Sequence, residues 1–259
     1  MPNTENGRDN SGLTPLHHAA AAGDVDRCRY LLEQGADANV PSGVLVRDGP
    51  LQCDWYWDPG ATALILAAEA GHADVVHVLL ALGGDPTSHD ASRWGPLHAS
   101  VLGADAGLIG LLVEAGASLE LSSTRRSYND QLGWFFVNTP LHLAALRNDV
   151  ASATALLSCG ATLSPAWVDR RTPLMYAAAS SSTAVVELLC ARGADPHLRE
   201  HRYAHGAFLD MTPLHYAARN GHADTVAVLI RYGAEARARE SYSGLTAGEM
   251  ADQARAAPT

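Results

Sequence analysis

The chain has 259 residues, 47% of them hydrophobic, and a formal net charge of −10. That charge argues against nucleic acid and anionic membrane surfaces as partners, because both reward dense Lys and Arg. No apolar stretch approaches the roughly 18 residues that a membrane span needs. The first ten residues, MPNTENGRDN, are polar and read as a disordered lead-in with no secretory leader, so the expected location is intracellular, in the cytoplasm. Cys28, Cys53, Cys159 and Cys190 are scattered and read as free thiols, three of them on a predicted helix or at its end.

From Thr14 onward one pattern recurs. Thr14-Pro-Leu-His opens a predicted helix, with Pro at the first helical position where its missing N–H costs nothing. A turn, a second helix and Gly35, suited to the left-handed position that stops a helix, complete the copy. The start returns at Thr62, Gly95, Thr139, Thr172 and Thr212, with a partial copy at Thr246, in steps of 48, 33, 44, 33, 40 and 34 residues. Leu16, Leu64, Leu97, Leu141, Leu174 and Leu214 hold one register. Leu31, Leu79, Leu112, Leu156, Leu189 and Leu229 hold a second, and Gly35, Gly83, Gly116, Gly160, Gly193 and Gly233 a third.

Taken in order, repeat one (14–37) leads to a long arm at 41–60, and repeat two (62–85) joins repeat three through a short hairpin at 86–94. Repeat three starts at Gly95 and has a glycine-rich turn at 103–107 that is expected to be loose. A second arm, 123–138, precedes repeat four (139–161), which passes to repeat five (172–195) through the short stretch 162–171. A third arm at 198–210 precedes repeat six, the cleanest copy. Its first helix is predicted from Pro213 to a break at Asn220-Gly221. Its second begins near Asp224, with Val226, Leu229 and Ile230 on one stripe. Helices this short bury their apolar sides only against neighbours.

The period of 33 and the T-P-L-H-x-A pattern resemble the ankyrin repeat over about residues 11 to 251. The resemblance implies an all-α solenoid of helix-turn-helix units separated by short or elongated β-hairpin fingers. The expected organisation is a lead-in at 1–10 and one array over 11–259, closed by a partial, polar capping repeat at 246–259.

The three arms occupy the first, third and fifth finger positions and hold nine of the sixteen aromatic residues: Trp55, Tyr56, Trp57, Tyr128, Trp134, Phe135, Phe136, Tyr203 and Phe208. The remaining tryptophans, Trp94 and Trp167, fall in the uninserted fingers. Rings gathered this way must bury against the array, each other or a guest, because a contiguous exposed apolar patch invites association. The resemblance also implies a concave face lined by His18, Glu69, Trp94, Leu143, Arg147, Arg171, Tyr176, Met211, Tyr216 and Arg219, a mixture that suits a peptide or a small molecule alike.

His17, His98, His142 and His215 are the motif histidines, which in the family make structural hydrogen bonds, and His72 and His222 in Gly-His turns read the same way. No HExxH, paired CxxC or phosphate-cradling glycine loop is present, so no metal or cofactor is expected. The doublets Arg125-Arg126 and Arg170-Arg171 could grip a carboxylate or phosphate, or simply be solvated.

Two functions remain open. The first is a non-catalytic binding module that offers its groove and aromatic fingers to a protein or peptide, with Trp55, Tyr56, Trp57, Trp94, Tyr128, Trp134, Phe135, Arg171, Tyr176, Tyr203, Phe208 and Tyr216 as contact residues. The second is a small-molecule enzyme, an isomerase or cyclase. In it the arms roof a pocket for a small apolar substrate, Asp54, Asp58, His201 or His205 moves protons, and the aromatics steady positive charge.

Overall fold

The structure, a computed structural model, describes residues 7–43, 59–129, 133–136, 139–164, 171–200, 202–204, 207–241 and 243–256. It divides into two compact units: residues 1–125 with 136–140, and 126–135 with 141–259.

The first unit holds three helix pairs: α1 (Pro15–Ala22) with α2 (Val25–Glu33), α3 (Ala63–Glu69) with α4 (Ala73–Ala81), and α5 (Pro96–Leu102) with α6 (Gly107–Glu114). The second holds α7 (Pro140–Leu146) with α8 (Val150–Ser158), α9 (Pro173–Ala179) with α10 (Thr183–Ala191), α11 (Pro213–Arg219) with α12 (Ala223–Arg231), and the single helix α13 (Ala247–Ala256). Two hairpins add β1 (Arg126–Asn129) to β2 (Gly133–Phe136) and β3 (Arg202–Ala204) to β4 (Ala207–Leu209). In the latter, Arg202, Tyr203 and Ala204 face Leu209, Phe208 and Ala207 in antiparallel register.

Side-chain caps start at least five of the helices. Thr14, Thr172 and Thr212 sit in extended conformation and accept the backbone N–H three residues on, with Pro following at the first helical position. Asp24 and Asp149 do the same for α2 and α8. The turn between paired helices demands a positive φ. Gly23, Gly71 and Gly221 supply it freely, but Ala104, Asn148 and Ser181 adopt it at φ 56°, 55° and 58°. The glycines that follow each second helix, Gly35 through Gly233, are also left-handed, as the helix stop requires.

Stacking stabilises these short helices. In the first unit α1 packs on α3 and α3 on α5, while α2 packs on α4 and α4 on α6; in the second α9, α11 and α13 stack in line, as do α8, α10 and α12. The leucines of both registers are almost wholly buried along the seams, each contributing about 1.5–3 kcal/mol.

Three expectations change in detail. The turn at 103–107 is tight: a Cβ on Gly103 would lie 2.7 Å from the Glu69 carbonyl oxygen, so glycine here permits the close approach of two repeats. In α12, Leu229 is buried but Ile230 is 47% exposed: α13 packs on α11, and among the described residues no helix after α12 packs on it. Of the lead-in, residues 7–10 are described, and Asp9 caps the next turn by accepting the N–H groups of Ser11 and Leu13.

Candidate functional site

Among the described residues, four fingers close on the same backbone clasp. The residue 28 positions after a repeat start donates its N–H to the carbonyl of the residue just before the next start. The pairs are Ser42 to Ala61 (2.8 Å), Asp90 to Trp94, Glu200 to Met211 and Glu240 to Leu245 (each 3.1 Å). The loops so closed differ several-fold in length, yet the base is constant. In the first unit successive fingers are also zipped edge to edge by Gly43 N–H to Gly12 O, Ala91 N–H to Pro59 O and Thr124 N–H to Ser92 O.

Beside the clasps lie two buried ion pairs. In the first unit, Asp90 accepts from Ser92 N–H, Ser92 Oγ–H and Trp94 N–H through Oδ1, and its Oδ2 receives Arg125 Nη2 at 2.6 Å. Arg125 Nε–H donates to Ser92 Oγ, and the guanidinium lies 4.3 Å from the centre of the Trp94 ring, whose other neighbour is the stacked His98 ring at 4.9 Å. Side-chain exposure is 6% for Arg125 and 0% for Asp90.

In the second unit, Arg171 Nε–H donates to Glu200 Oε2 at 3.1 Å, with side-chain exposures of 2% and 0%. Burial alone would lower the Arg171 pKa, but Tyr216, Tyr176 and Glu200 outweigh it and hold the guanidinium protonated well above its ordinary value. Arg171 lies 5.9 Å from the Tyr216 ring, and its carbonyl accepts His142 Nε2–H at 2.9 Å; His142 in turn meets Tyr176 edge-on. Nearby, Arg199 pairs with Asp210 at 2.9 Å and donates to the Arg239 carbonyl, while Ser241 donates to Asp210. Burial acts to raise the Asp210 pKa, but the Ser241 and Arg199 bonds prevail and hold it below the usual carboxylate value.

The residues singled out from sequence therefore fall in three groups. Trp94, Arg171, Tyr176 and Tyr216 are 0%, 2%, 1% and 4% exposed, so they build the scaffold under the fingers and offer almost no face to a guest. Leu143, Met211 and Glu69 are buried as well, while His18, Arg147 and Arg219 stay at the surface. Asp54, Trp55, Tyr56, Trp57, Asp58, His201 and His205 lie outside the described residues, and for Tyr128, Trp134, Phe135, Tyr203 and Phe208 the description is limited to the strands that carry them. Two of the arginines considered as grips do hold carboxylates, but the chain's own: Arg125 holds Asp90 and Arg171 holds Glu200.

Sequence reasoning missed Asp90, Glu200 and the Arg199–Asp210 pair. A faint signal existed, since a polar residue recurs 28 positions after five of the starts: Ser42, Asp90, Ser123, Glu200 and Glu240.

A family model for ankyrin repeats in three copies matches residues 122–200, and the single ankyrin repeat model matches 11–42, 60–91 and 209–240. The chain belongs to the ankyrin repeat family. The crystal structure of the human ASB11 ankyrin repeat domain superposes with a TM-score of 0.70 at 22% identity, covering 95% of this chain and 100% of that one. The human transient receptor potential cation channel subfamily A member 1 is 24% identical over 182 residues, 61% of this chain. The mouse RelA-associated inhibitor is 34% identical over 100 residues, 39% of this chain. The chain spans 16% and 11% of the length of these two relatives.

The ankyrin motif histidines His17, His142 and His215 each tie their repeat to the finger that follows. Thr14 N–H donates to His17 Nδ1, which fixes the proton on Nε2, 3.1 Å from the Ala61 carbonyl; His215 repeats this arrangement with Thr212 and Ala238. Burial lowers the His17 pKa to about 4 and that of His215 in the same direction. His72 and His222 bond back to the Ala21 and Ala179 carbonyls of the preceding ankyrin repeat. A cavity of about 240 Å³ opens among α11, α12 and α13, lined by Leu214, Ala218, Val226, Ile230 and Ala251 among others, and none of its described lining residues belongs to an arm. None of the helices of the described residues is long and apolar enough to cross a membrane.

Proposed function

We propose that the protein is a non-catalytic ankyrin binding module that contacts a protein or peptide partner chiefly through its three inserted fingers. The observation that carries this reading is the constant clasp: Ser42–Ala61 and Glu200–Met211 close long arms with the same bond that closes the short Asp90–Trp94 finger. The array therefore carries arms one and three as appendages whose tips can differ in sequence without disturbing the stack. Because Trp94, Arg171, Tyr176 and Tyr216 are consumed by internal packing, the contact role falls to Trp55, Tyr56, Trp57, Tyr128, Trp134, Phe135, Tyr203 and Phe208. Aromatic anchors of this kind dominate protein interfaces. One relative, the RelA-associated inhibitor, bears association with another protein in its name.

The test is to pan a displayed peptide library against the intact chain and against a version in which residues 44–58, 126–136 and 201–209 are replaced by short links. Binders should select on the intact chain and lose at least tenfold in affinity on the trimmed one. Equal binding to both would sink the reading. No observation in the described residues favours the isomerase or cyclase alternative, and no catalytic role is proposed.

A further inference from the structure

Arms two and three both leave the array beside a buried ion pair, and the two pairs are wired with opposite polarity. For arm two the carboxylate, Asp90, belongs to the preceding short finger and the arginine, Arg125, is the last residue before β1. For arm three the arginine, Arg171, closes the preceding short finger and the carboxylate, Glu200, stands two residues before β3. In each case the partner sits one repeat back, so the pair ties the foot of a long finger to the short finger behind it. Among the described residues the foot of arm one shows no such pair: there Ser42 stands, and its hydroxyl oxygen accepts the Gly60 N–H at 3.2 Å.

Stability alone is a poor reason for this arrangement. Burying both charges costs desolvation that an apolar pair of the same volume would avoid. What a charged pair adds is direction and uniqueness. Arg125 is held by Asp90, Ser92 and the Trp94 face together, so its position is determined from three sides. Opposite polarity also forbids exchange: seating Glu200 against Asp90, or Arg125 against Arg171, would bury like charges. In an array of near-identical repeats, stacking the wrong two together is the characteristic error.

We propose that the Asp90–Arg125 and Arg171–Glu200 pairs fix the departure points of arms two and three, which makes Arg125 and Glu200 the positioning residues of the contact surface. This rests on the reading of the arms as contact elements, but its test needs no partner, so either can fail without the other.

The experiment is hydrogen exchange by mass spectrometry on the full chain. Arg125→Met should speed exchange in 126–136 at least tenfold and leave 202–209 and the helices unchanged; Glu200→Gln should do the reverse. Should either variant fail to fold, the doubles Asp90→Leu/Arg125→Met and Arg171→Met/Glu200→Leu leave no unpaired buried charge and are read by the same criterion. Wild-type exchange in the arm of a folded variant overturns the proposal. A uniform acceleration of arms and helices also overturns it, because it would mark a role in global stability only.

Discussion

At the residue scale, three side chains carry conformations or bonds that composition alone does not announce. Ser181 holds a left-handed turn at φ 58° where three of the repeats use glycine. Ser181→Gly is therefore expected to raise stability by about 0.5–1 kcal/mol, the relief of Cβ strain being partly offset by glycine's greater unfolded freedom, measured as a rise in denaturation midpoint. Asn39 spans two fingers, donating Nδ2–H to the Gly83 carbonyl at 2.8 Å and accepting Asp85 N–H at 2.7 Å. Asn39→Ala should lower stability by about 1 kcal/mol, small because both bonds are exposed to competing water. Glu249 stands where other repeats place the motif histidine, and its carboxylate completes the same capping box by accepting Thr246 N–H at 2.7 Å. These bonds hold its pKa below the usual value.

At the element scale, the clasp predicts that arm one is dispensable for folding. Replacing 44–58 with a three-residue link should leave helix content unchanged by circular dichroism and shift stability by less than about 1 kcal/mol, since loop-closure entropy varies slowly with length. The Ser42–Ala61 bond that closes the finger stays in place. A loss of helical signal would show that the arm is part of the core. The terminal helix is different. Because α13 packs on α11 at the edge of the stack, Thr246→Ala, which removes its cap, should cost about 1 kcal/mol and show first as faster exchange in α13.

At the scale of the whole molecule, buried histidine sets the acid limit. Folded His17 stays neutral down to about pH 4, because burial disfavours the imidazolium by more than the Ala61 carbonyl, which accepts from Nε2–H, favours it. In the unfolded chain it takes a proton near its ordinary value of 6.5. The unfolded state therefore binds more protons between these limits, and stability that is fully present above pH 6.5 is lost as pH falls toward 4. His17 alone accounts for about 3 kcal/mol of that loss, and His215 acts in the same direction. Denaturant midpoints measured from pH 7.5 to 4 should fall through this window. His17→Gln should lower stability at neutral pH and flatten the slope.

Much of this was legible in the residues themselves. Thr-Pro starts, leucines at two fixed offsets and a glycine at a third are local requirements of capping, seam packing and left-handed helix stops, so they recur wherever the geometry recurs and can be counted along the chain. The places where fingers lengthen could be read for the same reason. The burial of Trp94, Arg171 and Tyr216 could not. A residue beside a helix start faces the groove or the interior according to what the finger in front and the finger behind place against it. Nor could the pairing of Asp90 with Arg125 and Glu200 with Arg171 be read, since ion pairs 35 and 29 positions apart form only once stacking brings two fingers together. Periodicity determined the repeating scaffold because each repeat answers to its own backbone. Tertiary contact alone decided which side chains became its internal fasteners, because that depends on neighbours the local sequence does not contain.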